Sequence, residues 1–411
     1  MSETRVTLPV LAWYGDTELE IDFPDSWDVN VCRHKGAGTP PLDDAGFRKA
    51  FANPIGTPTI QELAKDKKAV CILFDDMSRA TPSASIVPYV LQELSAAGIK
   101  NEQIRFIAAI GAHGSMTAID FTKKLGADVM SRFRVYNHNP YENCTSVGPS
   151  PRGIPMQFNA EVMMCDLKIG IGSIVPHPAA GFGGGSKIIL PGVASITTID
   201  ANHTRLAPHP TVGIGQYDQN ILKADMNDAA RMAGLDVKID CIYNFRRQVI
   251  HLFVGDVVDE HLAGIAVAKE YWGGVQVEDC DIVVANCFSK ANEMQLATPV
   301  SAPLLKPSGG EMVLVCVTPE GQINHYLGRS FGKHIGGSIF RPQTELPPNT
   351  SRLTIMQPYP DFVGADWVAP YEMVHFTRSW RETIEQLKLR HGDKVRVAVV
   401  PDATVQYFPT T

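Results

Sequence analysis

The chain has 411 residues, of which 44% are hydrophobic and 20% charged, with 34 glycines and 29 prolines. This composition is that of a folded, loop-rich globular protein, and the length predicts two or three domains. The 37 basic and 44 acidic side chains give a net charge of −7. The sequence contains no block of Lys and Arg of the kind that binds nucleic acid or an anionic membrane, so we expect neither partner.

The N-terminal residues and the cysteines predict the cellular location. The first five residues lead into an acidic stretch and lack the apolar core of a secretory signal. No apolar run reaches the roughly 20 residues that a membrane span needs. The eight cysteines form no C-x-x-C pair, and several lie in apolar runs, so we expect buried, reduced thiols. We therefore expect a cytoplasmic protein.

Short apolar runs rich in Val and Ile alternate with helix-like stretches along the chain. This alternation predicts an α/β fold with largely parallel sheets that are covered on both faces. The periodicity also predicts amphipathic helices over residues 83–98 and 256–271. The predicted strands span residues 69–74, 105–110, 166–171, 281–286, 311–317, 352–356 and 395–400.

The sequence Trp272-Gly273-Gly274 is a plausible boundary, because a new β-α-β series begins after it. We therefore predict two α/β domains, an N-terminal domain over residues 1–270 and a smaller C-terminal domain over residues 271–390. The last strand, within residues 391–411, could belong to either domain.

Polar side chains follow three predicted strands of the first domain. Asp75 and Asp76 come after the first strand, His113 after the second and His177 after the third. Ligands of open α/β sheets bind outside the carboxyl ends of the strands. We therefore expect these side chains to converge on one crevice.

The turn over residues 75–82 joins a strand to a helix. It offers carboxylates, hydroxyls, the guanidinium of Arg79 and the N–H groups of a helix N-terminus. Such a turn suits a phosphate and a ribose. A simple helix cap with a solvated arginine explains the same residues.

A glycine-rich segment precedes Lys187. A phosphate-binding P-loop needs Gly directly before the lysine and Ser or Thr directly after it, whereas this chain has Ser186 and Ile188. The segment is therefore not a P-loop. It presents a lysine on a flexible backbone that a ligand can approach closely, and a partly desolvated lysine can act as a nucleophile or a covalent anchor.

Three histidines, His113, His177 and His203, are spaced around this lysine. Imidazole is a common metal ligand and the side chain best suited to proton transfer near neutral pH. A single histidine is more often structural, but three around a glycine-rich lysine favour a functional site. The other histidines lack such a context; they include His138, His209, His325 and His334. Of these, we interpret His138 and His209 as loop residues.

Taken together, these elements resemble the lactate racemase family, whose members use a nickel-pincer nucleotide. The resemblance covers most of the chain, and its most specific part is the set of two histidines and a lysine. The matching elements are the D-x-x-R turn from Asp76 to Arg79 with Thr81-Pro82 after it, Gly111 to His113, the set His177, Lys187 and His203, and the N-x-x-Q segment from Asn292 to Gln295.

The resemblance implies a cofactor and a set of residues that bind it. The cofactor would be a Ni(II)-pyridinium-3,5-bisthiocarboxylic acid mononucleotide, tethered covalently at Lys187, with His203 as the protein ligand of nickel. On general grounds, we expect the active site to lie in the cleft between the two domains. Nucleotide binding would fall to Asp76, Met77, Ser78 and Arg79, and substrate binding to Arg79, Gln295 and Thr298.

The resemblance also implies a reaction. His113 and His177 would stand on opposite sides of the substrate carbon and exchange the hydroxyl proton, while the C2 hydride moves to the cofactor and back. The chain would then be a racemase or epimerase that inverts C2 of a 2-hydroxy acid. Its partners would be this small molecule and the proteins that make the cofactor.

Two positions depart from the family pattern. Family members commonly carry Arg directly after the first catalytic histidine, where this chain has Gly114. Lactate racemases place a substrate-binding Lys where this chain has Thr298. Loss of a cation and gain of a hydroxyl predict a substrate other than lactate, such as a larger or polyhydroxylated acid of the aldonate type.

Two alternatives remain open from the sequence. The first is a zinc-dependent hydrolase with His113, His177 and His203 as ligands, although it leaves the glycine-rich lysine unexplained. The second is a non-catalytic protein that binds a nucleotide or a small acid, which the changes at Gly114 and Thr298 allow.

Overall fold

The computed structural model describes residues 3–327 and 345–409. Most of these residues lie in strands, helices and the short connections between them. The strands are β1 (Glu3–Val10), β2 (Thr17–Pro24), β3 (Asp28–Val31), β4 (Val70–Phe74), β5 (Ile104–Ala108), β6 (Arg134–Asn137), β7 (Cys144–Pro149), β8 (Pro155–Asn159), β9 (Leu167–Ser173), β10 (Pro176–His177), β11 (Gly181–Phe182), β12 (Val237–Tyr243), β13 (Val249–Gly255), β14 (Ile282–Cys287), β15 (Gly310–Cys316), β16 (Thr350–Met356), β17 (Val374–Thr377) and β18 (Arg396–Val400). The α-helices are α1 (Asp44–Ala52), α2 (Ile60–Leu63), α3 (Ser83–Ala96), α4 (Ala118–Leu125), α5 (Ala127–Arg132), α6 (Ala160–Met163), α7 (Ile196–Leu206), α8 (Ile221–Ala233), α9 (Asp259–Trp272), α10 (Thr298–Ser301) and α11 (Trp380–Arg390).

The described residues form two compact units. The central unit comprises Gly38–Glu270 together with His325–Leu327. The terminal unit comprises the described residues of 1–37, 271–324 and 328–411. The sequence-based division differs from these units at both ends of the chain, because β3 pairs with β18 and β18 pairs with β14. Residues 1–37 and the last strand thus belong with the residues that follow position 270.

The sheet of the central unit has the strand order β13-β12-β9-β4-β5-β6. The β12–β13 pair is antiparallel, and the other pairs are parallel. Every residue of β4, β9 and β12 is buried, as expected for strands covered on both faces. The fully apolar sequence of β4, VCILF, follows from this double burial.

The sheet of the terminal unit has the order β17-β16-β15-β14-β18-β3, with parallel pairing throughout. Alternate residues of β14 enter two separate cores. Val283 and Ala285 pack on one face of the sheet, and Ile282 and Val284 pack on the other. The α/β class with largely parallel sheets is therefore confirmed.

The structure has a strand or helix at each position where the sequence predicts one. Each predicted strand is confirmed, with ends that shift by one or two residues, and both predicted helices are present. The cysteines are free, and all except the half-buried Cys144 are buried. In the part of the chain that the structure describes, no helix combines the length and apolarity needed to cross a bilayer.

Candidate active site

The candidate site lies in the central unit at the carboxyl ends of three neighbouring strands. β9, β4 and β5 are adjacent in the sheet, so the residues that follow them meet at one edge. Gly111 N donates a hydrogen bond of 2.9 Å to Gly192 O, and Gly192 N donates one of 3.1 Å to Lys187 O. The turn that carries His113 is thus joined through the backbone to the segment that carries Lys187.

A buried carboxylate orients His113. Asp76 Oδ2 lies 2.7 Å from His113 Nδ1, and Asp76 is 4% exposed. A carboxylate can only accept, so the ring carries its proton on Nδ1 and keeps the lone pair on Nε2. Burial alone would raise the pKa of Asp76, but His113 and Arg79 outweigh it and hold that pKa well below its ordinary value. The arrangement leaves His113 Nε2 as a base.

The remainder of the Asp76–Arg79 turn is closed by internal hydrogen bonds. Ser78 N and Ser78 Oγ donate to Asp76 Oδ1 over 2.8 and 2.5 Å. Arg79 Nη1 donates to Ser78 O over 2.9 Å and to Ser78 Oγ over 2.7 Å. Met77, in the same turn, is half-buried. The turn therefore holds the guanidinium of Arg79 beside the Asp76–His113 pair.

Backbone N–H groups orient His177. Ala179 N and Ala180 N each donate a hydrogen bond of 3.1 Å to His177 Nδ1. The Nδ1 atom is thus an acceptor, and the proton of the neutral ring lies on Nε2. The neutral ring of His113 therefore offers a lone pair at Nε2, whereas the neutral ring of His177 offers an N–H at Nε2.

The backbone that carries Lys187 is bonded to buried side chains. The lysine is half-buried in a 3-10 turn over Gly185–Ile188. Gly185 N donates to Asp240 Oδ2 over 2.5 Å, and Lys223 Nζ donates to Gly184 O over 3.0 Å. The prediction of a flexible glycine-rich backbone is therefore wrong, because polar side chains from other elements fix it.

His203 fits the role of a metal ligand beside Lys187. It lies in the last turn of α7, where its Nδ1 donates to Ile199 O over 3.0 Å. This bond directs the proton to Nδ1 and leaves a lone pair on Nε2 of the kind that can coordinate a metal. Burial and the nearby Lys187 lower the pKa of His203 to about 4, so the ring is neutral at pH 7, as coordination requires.

His325 is a candidate residue that the sequence analysis missed. Its backbone forms a bridge with that of His113, and Tyr326 N donates to Ala112 O over 2.7 Å. The two imidazole rings lie with centroids 5.0 Å apart in an edge-to-face arrangement. No motif marks His325, and only the pairing of two distant segments shows its position. His334, in contrast, lies outside the described residues.

Gln295 and Thr298 lie in the terminal unit, whereas the other candidate residues lie in the central unit. Gln295 belongs to a 3-10 segment over Ala291–Ala297, and its buried Oε1 has no hydrogen-bond partner in the described part of the chain. Thr298 Oγ1 donates to Gln295 O over 2.9 Å. The side chain of Gln295 thus offers an unused buried acceptor, which suits a polar ligand.

The three candidate histidines do not form a metal centre of their own. Within residues 3–327 and 345–409, no group of three or more His, Cys, Asp and Glu side chains could hold a metal ion. The described residues therefore give no support to the alternative of a zinc hydrolase with His113, His177 and His203 as ligands. The Nδ1 atoms of His113 and His177 are instead used for Asp76 and for the backbone.

Known proteins with similar sequences are lactate racemases. Residues 14–215 match the lactate racemase N-terminal domain. The lactate racemase of Thermoanaerobacterium thermosaccharolyticum is 31% identical over 279 residues, which cover 66% of this chain and 65% of that protein. The lactate racemase of Lactiplantibacillus plantarum is 28% identical over 381 residues, which cover 86% of this chain and 88% of that protein.

Solved structures share the fold. The lactate racemase apoprotein from Thermoanaerobacterium thermosaccharolyticum superposes with a TM-score of 0.75 at 22% identity, covering 99% of this chain and 100% of that one. A Thermotoga maritima protein superposes with a TM-score of 0.66 at 17% identity, covering 89% and 98%. The motifs in the sequence and the match over residues 14–215 make the chain similar to the lactate racemase family.

Proposed function

We propose that the chain is a racemase or epimerase that inverts C2 of a 2-hydroxy acid, with a nickel-pincer nucleotide tethered at Lys187. The hydrogen bond between Asp76 and His113 carries this proposal, because it makes His113 Nε2 a base next to Arg79. A hydride leaves readily only from a carbon whose hydroxyl is losing its proton, so this base is what the reaction needs. The curated relatives named lactate racemase support the same reaction class.

The residues around Lys187 and His203 would hold the cofactor. His203 would supply Nε2 to nickel, Lys187 would supply the amine of the covalent tether, and residues 76–79 would contact the nucleotide. When bound, the nickel-pincer nucleotide supplies the acceptor and donor of the C2 hydride. The donor set supports this fit, because a neutral imidazole and a half-buried amine lie close enough for Lys187 to lower the pKa of His203.

His113 and His177 would move the hydroxyl proton. His113 Nε2 would accept it from one enantiomer, with Asp76 stabilising the imidazolium that forms. His177 Nε2–H would hydrogen-bond the substrate oxygen on the other face. Before His177 can accept a proton at Nε2, its Nδ1 has to give up the bonds from Ala179 and Ala180. We therefore expect His113 to be the proton acceptor in the resting enzyme.

The substrate would be a 2-hydroxy acid larger or more hydroxylated than lactate, such as an aldonate. Arg79 is a planar two-point donor for the carboxylate. Gln295 offers a buried amide oxygen that a hydroxyl can satisfy, and the lone pairs of Thr298 Oγ1 can accept from another. A lysine at position 298 would instead add a cation to this part of the substrate site. We further propose that the enzyme acts in the cytoplasm and receives its cofactor from biosynthesis proteins.

The test is to express the chain together with a nickel-pincer biosynthetic pathway. We expect intact-protein mass spectrometry to show a cofactor adduct that Lys187→Ala abolishes, and metal analysis to find nickel. The purified protein should then invert C2-deuterated lactate or gluconate in ordinary water with deuterium kept at C2. Deuterium lost to solvent would indicate proton abstraction at C2. Ligand binding without inversion would instead favour a non-catalytic binding protein.

A control separates the site histidines from histidines in general. His209→Gln changes an exposed histidine of the same unit and should leave the adduct and the inversion unchanged. His113→Ala should keep the adduct and lose inversion, because the base is absent. Equal inversion rates in these two variants would contradict the assignment of His113.

A further inference from the structure

The backbone just before Lys187 is held by buried polar side chains from three separate elements. These side chains come from β12, α8 and α9, and three of them, Asp240, Lys223 and His261, are at most 1% exposed. The hydrogen bonds run from His261 Nε2 to Gly183 O (2.8 Å), from Lys223 Nζ to Gly184 O (3.0 Å), from Gly185 N to Asp240 Oδ2 (2.5 Å) and from Ser186 Oγ to Asn227 Oδ1 (2.7 Å).

The glycines of this segment are explained by the same side chains. A Cβ atom at Gly184 would lie 2.7 Å from Asp240 Oδ2, and one at Gly185 would lie 2.7 Å from His261 Cγ. Both glycines have positive φ angles, +81° and +56°. Only glycine allows both this conformation and this closeness. Gly184 and Gly185 are therefore required by the protein's own buried groups, whatever ligand binds nearby.

The buried groups are costly to keep in the core. Asp240 is paired with Lys238, and burial with the nearby Asp240 raises the pKa of Glu260 well above its ordinary value. This shift favours the neutral form of Glu260, whose carboxyl group lies near the buried Lys238 and Lys223. Burial and the neighbouring Lys187 lower the pKa of Lys223 to about 7. Apolar side chains would stabilise a core better than such a set does, so its presence favours a functional role.

The position of Lys187 depends directly on this set. Gly184 O accepts from Lys223 Nζ and also from Lys187 N, over 3.3 Å. One carbonyl therefore connects the buried Lys223 side chain to the turn that presents Lys187. Moving Gly184 would move the Lys187 side chain relative to His203.

We propose that Lys223, Asp240, His261 and Asn227 are positioning residues that fix the Gly183–Ser186 segment so that Lys187 can form the covalent tether. None of these residues contacts substrate or cofactor in this proposal, and each acts through the lysine-bearing turn. The inference rests on the proposed function, since it assumes that Lys187 carries the cofactor.

The test compares two buried lysines of the central unit. Lys223→Met removes the donor to Gly184 O, and Lys168→Met is the matched control. Lys168 is 8% exposed, and its Nζ donates to a backbone carbonyl, Cys165 O, over 2.7 Å, away from the Lys187 segment. Each variant is co-expressed with the cofactor pathway. The fraction of protein with an adduct on Lys187 is then measured by intact mass, and the unfolding temperature without cofactor is measured in parallel.

We expect Lys223→Met to lower the adduct fraction about tenfold, because small displacements of a reacting group have large effects on its reaction. Lys168→Met should keep the wild-type fraction despite a similar loss of unfolding temperature. Lys223→Arg, which keeps a charged donor, should restore part of the adduct. Asn227→Ala is a milder change at a half-buried residue, and it should lower the adduct fraction by less. This variant replaces Lys223→Met in the test if Lys223→Met does not fold.

Two results would overturn the proposal. The first is a wild-type adduct fraction in Lys223→Met, or in Asn227→Ala if the former does not fold. The second is an equal loss in Lys168→Met, which would mean that the adduct follows stability alone. Failure of the proposed function looks different, because in that case the wild-type protein itself carries no adduct on Lys187.

Discussion

Asp76 Oδ2 and His113 Nδ1 lie 2.7 Å apart, with the Asp76 side chain 6% exposed and the His113 side chain 13% exposed. The contact joins the turn after β4 to the turn after the neighbouring strand β5. It sets the tautomer of His113 and stabilises the charge that the ring gains when it accepts a proton.

Replacing this carboxylate should therefore affect catalysis much more than folding. In Asp76→Asn, the amide can offer an N–H to His113 Nδ1, which moves the ring proton to Nε2 and removes the base. We expect kcat for C2 inversion to fall about 1000-fold. The steady-state rate with the best 2-hydroxy acid measures this, and Asp128→Asn, at an exposed surface ion pair with Arg132, is the control. A loss of less than tenfold would show that the pairing does not matter for the reaction.

His325 should influence the reaction through His113. The rings of the two histidines are in edge-to-face contact, and Leu327 N donates to His325 Nδ1 over 3.3 Å. His325→Ala removes a ring that packs against the base, so we expect kcat to fall roughly tenfold with the Lys187 adduct retained. Measuring kcat and adduct mass together checks this. Unchanged kinetics would assign His325 to packing only, and His209→Gln is the control for loss of a histidine.

The stability of the apoprotein should fall as the pH drops from about 6.5 to 4. Burial lowers the pKa of His138 and His203 to about 4 and that of His261 to about 3. An unfolded histidine takes up its proton near pH 6.5, whereas these folded ones do not. Between the two pKa values, the unfolded state binds more protons, so the unfolding free energy decreases as the pH decreases.

One variant tests this linkage outside the candidate site. His138 Nε2 donates to Ala194 O, and Asn159 Nδ2 donates to His138 Nδ1, which explains why the buried ring stays neutral. His138→Gln should reduce the slope of unfolding free energy against pH by about 1.4 kcal/mol per pH unit between pH 6 and 4.5. Denaturant titrations at several pH values measure it. The exposed His209→Gln should leave the slope unchanged, and an equal change in both would contradict the assignment.

Position 298 should determine which acid is preferred. Thr298→Lys adds a cation where the wild-type residue has a hydroxyl, so we expect the ratio of kcat/KM for lactate to that for gluconate to rise at least about tenfold. Thr298→Val is the matched control, because it removes the hydroxyl without adding charge. It should lower kcat/KM for the hydroxylated acid only. An unchanged ratio in Thr298→Lys would exclude this residue from specificity.

The sequence predicts the location of the site because of a simple geometric rule. Residues that follow neighbouring parallel strands meet at one edge of the sheet, and this rule alone places Asp76 near His113. Periodicity likewise predicts the buried strands, since a run such as residues 70–74 has no polar side to expose.

Other features have no local signal in the sequence. His325 reaches His113 through pairing between segments far apart in the chain, and no spacing rule predicts such pairing. The glycines before Lys187 look like a flexible ligand loop, but they are set by Asp240 and His261, which lie in later elements. The domain ends differ for the same reason, because β3 finds its partner in the last strand.

The pairing of β3 with β18 also determines when each sheet can form during translation. Strand β18 lies between β14 and β3 in the sheet of the terminal unit. Until residues 396–400 leave the ribosome, β3 has no neighbour in that sheet, and the edge of β14 that later pairs with β18 is exposed. Exposed strand edges can pair with the wrong strand. The residues of β4–β13, in contrast, are all available once β13 has emerged. The central sheet can therefore assemble once β13 has been translated, whereas the terminal sheet closes only after residues 396–400 have been translated as well.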